Sequence, residues 1–193
     1  MVLSGVYKPF MKRWENFQTA WIISDLHFNE MDLKRAFPNR PTDDELVRRI
    51  NAKVGRKDIL FVLGDCGDLE YVKKLRGYKV LIMGNHDTGA TKYEEVFDEV
   101  YEGALIIGEK IILSHEPVQI PWAFNFHGHN HAQKKNAPNH MNVCADVIDY
   151  EPAHLNSLLN GGIASKVYTI HRETVDNATD RKRKRGGKKI GEK

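Results

Sequence analysis

The sequence predicts an α/β domain, and three observations carry that expectation. Continuous apolar runs occur at residues 20–24 (AWIIS), 58–63 (DILFVL) and 78–83 (YKVLIM). Runs this short, bounded by polar residues, read as strands, and the uniformly apolar ones as strands buried on both faces. Between the second and third lies a short amphipathic stretch, Leu69, Val72 and Leu75, which stops at Gly77. Strand, helix and strand joined this tightly form a parallel βαβ unit. Finally, clusters of Asp, Asn and His follow the strands. In α/β sheets the loops beyond the carboxyl ends of strands share one rim and build the ligand site.

The remaining elements follow in order. Residues 1–19 show no clean period and stand as a leader. After the first strand, Pro38 and Pro41 punctuate a charge-rich segment. Thr42-Asp43-Asp44-Glu45 is a capping box, Leu46, Ile50 and Val54 lay an apolar stripe, and Gly55 closes that helix. Beyond residue 95 the pattern shifts toward antiparallel strands. Residues 104–107 and 110–113 make a hairpin around Gly108-Glu109. Further strands are expected at 123–126 and 141–147, a helix at 152–159 closed by Gly161-Gly162, and a final strand at 166–171. The organisation is a leader (1–19), one domain (20–176) and a basic, disordered tail (177–193).

Composition narrows the class. A chain of 193 residues is one domain, and 41% hydrophobic with 28% charged residues suits a sizeable core. No apolar run approaches the roughly 20 residues of a membrane-spanning helix. Lys8, Lys12, Arg13 and Glu15 interrupt any secretory signal. Two cysteines, Cys66 and Cys144, exclude a disulfide framework and fit a reducing cytoplasm. Residues 181–193 hold eight Lys/Arg against one Glu, so their net charge is +7; the preceding 180 residues hold 21 against 25 and carry −4. The body is therefore mildly acidic, and the basic excess belongs to the tail.

The polar clusters share a chemistry. Asp25 and His27 follow the first strand, Asp65 the second, Asn85 and His86 the third; His115, His129 and His131 follow later strands. Carboxylate, imidazole and amide oxygen are ligands for divalent first-row metals such as Mn, Fe, Zn or Ni. Asp-x-His and His-x-His spacings put both side chains on one face of an extended strand end. Gly64, Gly84 and Gly128 permit the tight turns that aim them. Asp25, His27, Asp65, Asn85, His115, His129 and His131 make seven candidate ligands, too many for one tetrahedral ion and natural for two ions sharing a carboxylate.

The series Asp25-Leu26-His27, Gly64-Asp65-Cys66-Gly67-Asp68, Gly84-Asn85-His86-Asp87, His115 and Gly128-His129-Asn130-His131 resembles the calcineurin-like metallophosphoesterases. Their blocks run D-x-H, G-D-x-x-D, G-N-H-[DE], H and G-H-x-H, and all five stand here in order across residues 25–131. The resemblance implies an αββα sandwich of two mixed β-sheets flanked by helices, with metals at the C-terminal strand ends. It implies one metal held by Asp25, His27, Asp65 and His131, and a second held by Asp65, Asn85, His115 and His129, with Asp65 bridging. His86 would then be the catalytic imidazole and Asp68 the carboxylate that orients it. Two divalent ions about 3.5–4 Å apart acidify a shared water and clamp the phosphoryl oxygens. A metal-bridging hydroxide would be the nucleophile, and His86 the general acid for the leaving alkoxide. Mn leads the expectation for the metals, with Fe, Ni or Zn compatible. The substrate is a phosphoester, nucleotide or nucleic acid among the candidates, with phosphodiesters favoured because the chain resembles the small single-domain members.

Other readings stand beside this one. The tail could hold nucleic acid by salt-dependent phosphate attraction, making the chain a nuclease, although no aromatic residues interleave it for base stacking. A non-catalytic metal-binding scaffold is disfavoured, because His86 and all seven ligand positions are filled. His127, His140, His154 and His171 are read as ordinary polar residues, Asp87 as a turn cap and Cys66 as a packing residue. Trp122, Phe124 and Phe126 read as core, with a substrate wall as the alternative. Nothing in the sequence sets an oligomeric state.

Overall fold

The computed structural model describes residue 14 and residues 16–107, 110–165 and 167. Most of the leader, the turn at Gly108-Glu109, the final strand expected at 166–171 (Val167 apart) and the basic tail lie outside the described residues.

The most apolar run of the sequence lies at the centre of the first sheet. Its strands are β1 (Ala20–Ile23), β2 (Ile59–Val62), β3 (Tyr78–Ile82), β4 (Glu99–Tyr101) and β9 (Ala153–His154), in the order β4-β3-β2-β1-β9. β1 to β4 are parallel, with Ile22 opposite Phe61 and Phe61 opposite Val80; β9 pairs antiparallel with β1. The second sheet has the order β5 (Leu105–Ile107), β6 (Ile111–Leu113), β7 (Phe124–His127) and β8 (His140–Asn142). The hairpin β5–β6 is antiparallel as expected. β7 and β8 join it parallel, so within this sheet the antiparallel pattern expected beyond residue 95 stops at the hairpin. Both sheets are mixed, and helices flank them.

Alternation along the strands builds two cores. Ile22, Phe61, Val80 and Ile82 point between the sheets, where they meet Leu113, Phe124 and Phe126. Ile23, Leu60, Val62 and Leu81 point the other way, onto Leu46 and Ile50 of α2 (Asp43–Lys53). A two-residue period with both faces buried is the behaviour of a central parallel sheet. Each such side chain contributes about 1.5–3 kcal/mol on burial. The capping box holds: Thr42 accepts a hydrogen bond from the Glu45 N–H at α2's start.

Three short helices were not evident in the sequence or came out shorter than read. α1 (Met31–Ala36) lies in the segment read as charged loop, α3 (Leu69–Val72) is a single turn, and α4 (Ala90–Glu94) precedes β4. The helix expected at 152–159 splits. Ala153 and His154 pair with the free side of β1, and α5 (Leu155–Asn160) starts only at Leu155, with the His154 ring accepting from the Ser157 N–H. The exposed edge of β1 overrides the local helical preference. The outward face of the second sheet carries Ser114, Asn125, His127, His140 and Asn142, all buried. Asn125 accepts from the Val118 N–H, and Asn142 donates to the carbonyls of Asn130 and Gln133, so side-chain amides tie the neighbouring loops to this face. Among the described residues, no helix is long and apolar enough to cross a membrane.

Candidate metal centre

The loop after β1 runs beside the loop after β2. Asp25 N–H donates to the Gly64 carbonyl, and His27 N–H to the Asp65 carbonyl. These turns are tight enough that Asp25 (φ 58°), His27 (φ 42°), Asp65 (φ 52°) and His129 (φ 66°) all adopt the left-handed conformation. Non-glycine residues enter that region at a cost, so four of seven candidate ligands are held there by their surroundings. Two glycines make room. A Cβ at Gly84 would collide with the Asp65 carboxylate, and one at Gly128 with Ser24 and the Asp25 carboxylate.

The seven residues converge. Asp65 Oδ2 stands 3.5 Å from His27 Nε2 and 3.3 Å from His115 Nε2. On one side of it, Asp25 Oδ1 is 3.9 Å from His27 Nε2 and 3.5 Å from His131 Nε2. On the other, Asn85 Oδ1 lies 2.8 Å from His115 Nε2 and 3.0 Å from His129 Nδ1, and the two imidazoles are 3.2 Å apart. The donor oxygens and nitrogens of Asp25, His27 and Asp65 all lie within 4.8 Å of one another. Ligand atoms about 2.0–2.2 Å from a shared tetrahedral ion sit roughly 3–3.5 Å from each other, so the spacing fits a cation. Among the described residues, both ring nitrogens of His27 are buried with no hydrogen-bond partner, and Nε2 is the one that faces the cluster.

The far nitrogen of two histidines is hydrogen-bonded elsewhere, which aims the near one, and that of His27 lies close to a carboxylate without a hydrogen bond. His115 Nδ1 is 2.8 Å from the Leu63 carbonyl, His131 Nδ1 is 2.7 Å from Asp146 Oδ2, and His27 Nδ1 is 2.9 Å from Glu30 Oε2. Such outer partners fix ring orientation in metal sites. Burial pulls the His131 pKa down, but the Asp146 hydrogen bond and the charges of Asp25 and Asp146 outweigh it, and the net shift is upward. Burial pushes Asp146 up, while His131, Arg40 and Tyr150 bring it below the usual carboxylate range.

His86 lies at the exposed edge, its backbone N–H donating to Asp65 Oδ1 at 2.9 Å and its ring edge-on to His27 at 5.2 Å. A His86 ring nitrogen lies within 4.8 Å of a Glu30 oxygen and a His27 nitrogen. Asp68 caps α3 by accepting from the Glu70 N–H and also accepts from Asn29 Nδ2; it makes no hydrogen bond with His86. A cavity of about 350 Å³ opens over the centre, lined by His27, Asp65, Asn85, His86, His129 and His131 and walled by Glu30, Asp32, Leu33 and Ala36.

Residues set aside in the sequence fall away from the donors. His127 is buried against the Gly128 carbonyl, and Asp87 accepts from the N–H groups of Asp65, Cys66 and Gly84 as a turn cap. Burial raises the Cys66 and Cys144 thiols above their ordinary range; Cys144 Sγ lies 3.5 Å from His131 Nδ1 and groups with Asp25 and His131 as a candidate metal ligand. Phe124 and Phe126 fill the core and Trp122 is exposed. Sequence reasoning missed Glu30, Arg40 and Asp146. Each acts through a residue far away in the chain or across a turn, and none carries a spacing signal.

Two facing mixed sheets with a carboxylate-imidazole cluster at their strand ends form a scaffold with the donor set of a metal site. The chain matches the calcineurin-like phosphoesterase family over residues 19–189 and belongs to it; it is a metal-dependent phosphoesterase. Among solved structures it is similar to AQ665 of Aquifex aeolicus, a protein of unknown function, at 24% identity and TM-score 0.64, covering 74% of this chain and 98% of that one. That likeness shows the fold. A nuclease of Pseudomonas putida, MPE, is more distant, at 22% identity and TM-score 0.43, covering 58% of this chain and 61% of its own. No curated protein matches.

Proposed function

We propose that this phosphoesterase works with two divalent cations and favours phosphodiesters. One observation carries the reading: a single carboxylate oxygen, Asp65 Oδ2, stands between two donor sets, 3.5 Å from His27 Nε2 and 3.3 Å from His115 Nε2. Asp25, His27, Asp65 and His131 would hold one cation; Asp65, Asn85, His115 and His129 the other. When bound, the cations supply an acidified water and a clamp on the phosphoryl oxygens. The residues of the chain supply the rest. His86, tied through its N–H to Asp65, is placed to donate a proton to the departing alkoxide. Glu30, which groups with the His86 ring, and Asp68, the carboxylate the family resemblance implies, are the candidates to orient it, and comparing Glu30→Gln with Asp68→Asn separates them. The diester preference is proposed on the room around Asn85, which lines both the first cavity and a second of about 300 Å³ bounded by His115, Met83, Glu102, Glu116 and Val118.

The test is hydrolysis of bis-p-nitrophenyl phosphate and p-nitrophenyl phosphate by metal-stripped protein with Mn added back, beside His86→Ala. Metal-dependent turnover that favours the diester and collapses in the variant is expected. Equal or greater turnover of the monoester would overturn the diester preference, and turnover without metal would overturn the mechanism.

A further inference from the structure

We propose that Asp146 and Arg40 are a positioning pair that sets the first donor set for its cation, from both sides at once. The inference rests on the reading of this cluster as a metal centre.

Asp146 lies in the turn after β8, and every oxygen of its carboxylate is spoken for. Oδ2 accepts from His131 Nδ1 at 2.7 Å and from Arg40, while Oδ1 accepts from the Tyr150 hydroxyl at 2.8 Å. The Asp146 and Arg40 side chains are 0% and 1% exposed. Burying an ion pair costs desolvation that its mutual attraction scarcely repays, so stability alone is a weak reason for this arrangement. The directions of the remaining hydrogen bonds give a stronger one. The second terminal nitrogen of Arg40 donates to the carbonyls of Asp25, at 2.9 Å, and Leu26. Those carbonyls belong to the left-handed turn that carries Asp25 and His27.

The pair thus holds two ends of one site. Asp146 occupies His131 Nδ1 and leaves Nε2 facing Asp25 Oδ1 at 3.5 Å. Arg40 pins the backbone from which Asp25 and His27 project. One planar guanidinium reaches a carboxylate and two carbonyls together, a fork that a lysine ammonium does not reproduce. The second donor set has no counterpart among the described residues: His115 is backed by the neutral Leu63 carbonyl.

The test is Mn(II) binding by calorimetric titration of the full chain, alongside melting temperature in chelator. Wild type, Asp146→Asn, Arg40→Lys and Ile50→Val are compared, the last a core change remote from the centre. One of two Mn ions is expected to bind about 10–100-fold more weakly in Asp146→Asn and Arg40→Lys. Ile50→Val is expected to lower the melting temperature and leave both affinities unchanged. Tyr150→Phe keeps the buried pair and removes one donor to Asp146, so a weakening of about 2–10-fold in the same ion is expected even if Asp146→Asn does not fold. Unchanged affinities in Asp146→Asn, or in Tyr150→Phe where only that variant folds, would overturn the proposal. So would equal weakening of both ions, or equal weakening in Ile50→Val. A wild-type chain that binds no Mn would instead overturn the metal-centre reading beneath it.

Discussion

The two donor sets that meet at Asp65 are built in different ways. In the first, the imidazole nitrogens of His27 and His131 stand 3.5–3.9 Å from the carboxylate oxygens of Asp25 and Asp65, while the Asp25 carboxylate accepts from the His129 N–H at 3.0 Å. Left-handed backbone, the Arg40 guanidinium and two carboxylates behind the imidazoles, Glu30 and Asp146, hold them in place. In the second, Asn85, His115 and His129 contact one another at 2.8–3.2 Å. With the His115 Nδ1–H directed at the Leu63 carbonyl, its Nε2 has no proton for Asn85 Oδ1, so a proton on His129 Nδ1 is what links the three atoms, and a cation must replace it. The first set also carries its own carboxylate, Asp25, where the second has the neutral amide of Asn85. Scaffolding and charge therefore favour the first set for the tighter ion, and the second for the more exchangeable one.

The largest effect is expected where the sets join. Asp65→Asn removes the shared charge from both, so metal content after gel filtration should fall for both ions and hydrolysis with it. Full retention of one ion would show that Asp65 serves a single set. Next, with His86 proposed to act on the leaving group and not as a ligand, His86→Ala should lower kcat by about 10²–10⁴-fold with metal content unchanged. Loss of metal in that variant would place His86 among the ligands. The comparison itself is broken or sharpened by His131→Ala against His115→Ala. The ion retained by His115→Ala should bind more tightly than the ion retained by His131→Ala; the reverse order would contradict the argument from scaffolding.

The smallest effect lies outside the centre, on the second sheet. Burial lowers the pKa values of His127 and His140 from 6.5, with the Gly128 carbonyl opposing it at His127. The folded chain keeps these rings neutral while the unfolded chain takes up protons near 6.5. Stability from this source is thus complete above pH 6.5 and is lost as pH falls toward and through the lowered values. The loss is at most about 1.4 kcal/mol per pH unit for each histidine. Denaturant midpoints in chelator at pH 7.5 and 5.5 measure it, with the lower midpoint expected at 5.5. A His127→Gln chain should lose less between those values.

The donors were legible because strand ends carry them. Asp25, Asp65 and Asn85 follow apolar runs whose period marks parallel strands, and parallel strands deliver their carboxyl ends to one rim. What holds the donors was not legible. Arg40 reaches Asp146 across 106 positions, and His131 reaches it across 15, with no motif linking any of them. Glu30 sits in a stretch without apolar periodicity, and α1 beside it shows no buried residue that would have marked it as a helix. The split at residue 155 has the same origin: Ala153 and His154 become strand because β1 has an edge to cover, which is a tertiary cause. The parallel attachment of β7 and β8 likewise depends on how the loops at 115–123 and 128–139 return, and their hydrogen bonds come from Asn125, Asn139 and Asn142, residues with no patterning of their own.

The most direct test of the central claim is the stoichiometry of Mn(II) on metal-stripped full-length protein, followed by titration of bis-p-nitrophenyl phosphate hydrolysis against bound metal. Two ions per chain, with hydrolysis rising as the second binds, is the expected result. A single ion per chain with full activity, or activity independent of metal, would contradict the shared-carboxylate centre at Asp65.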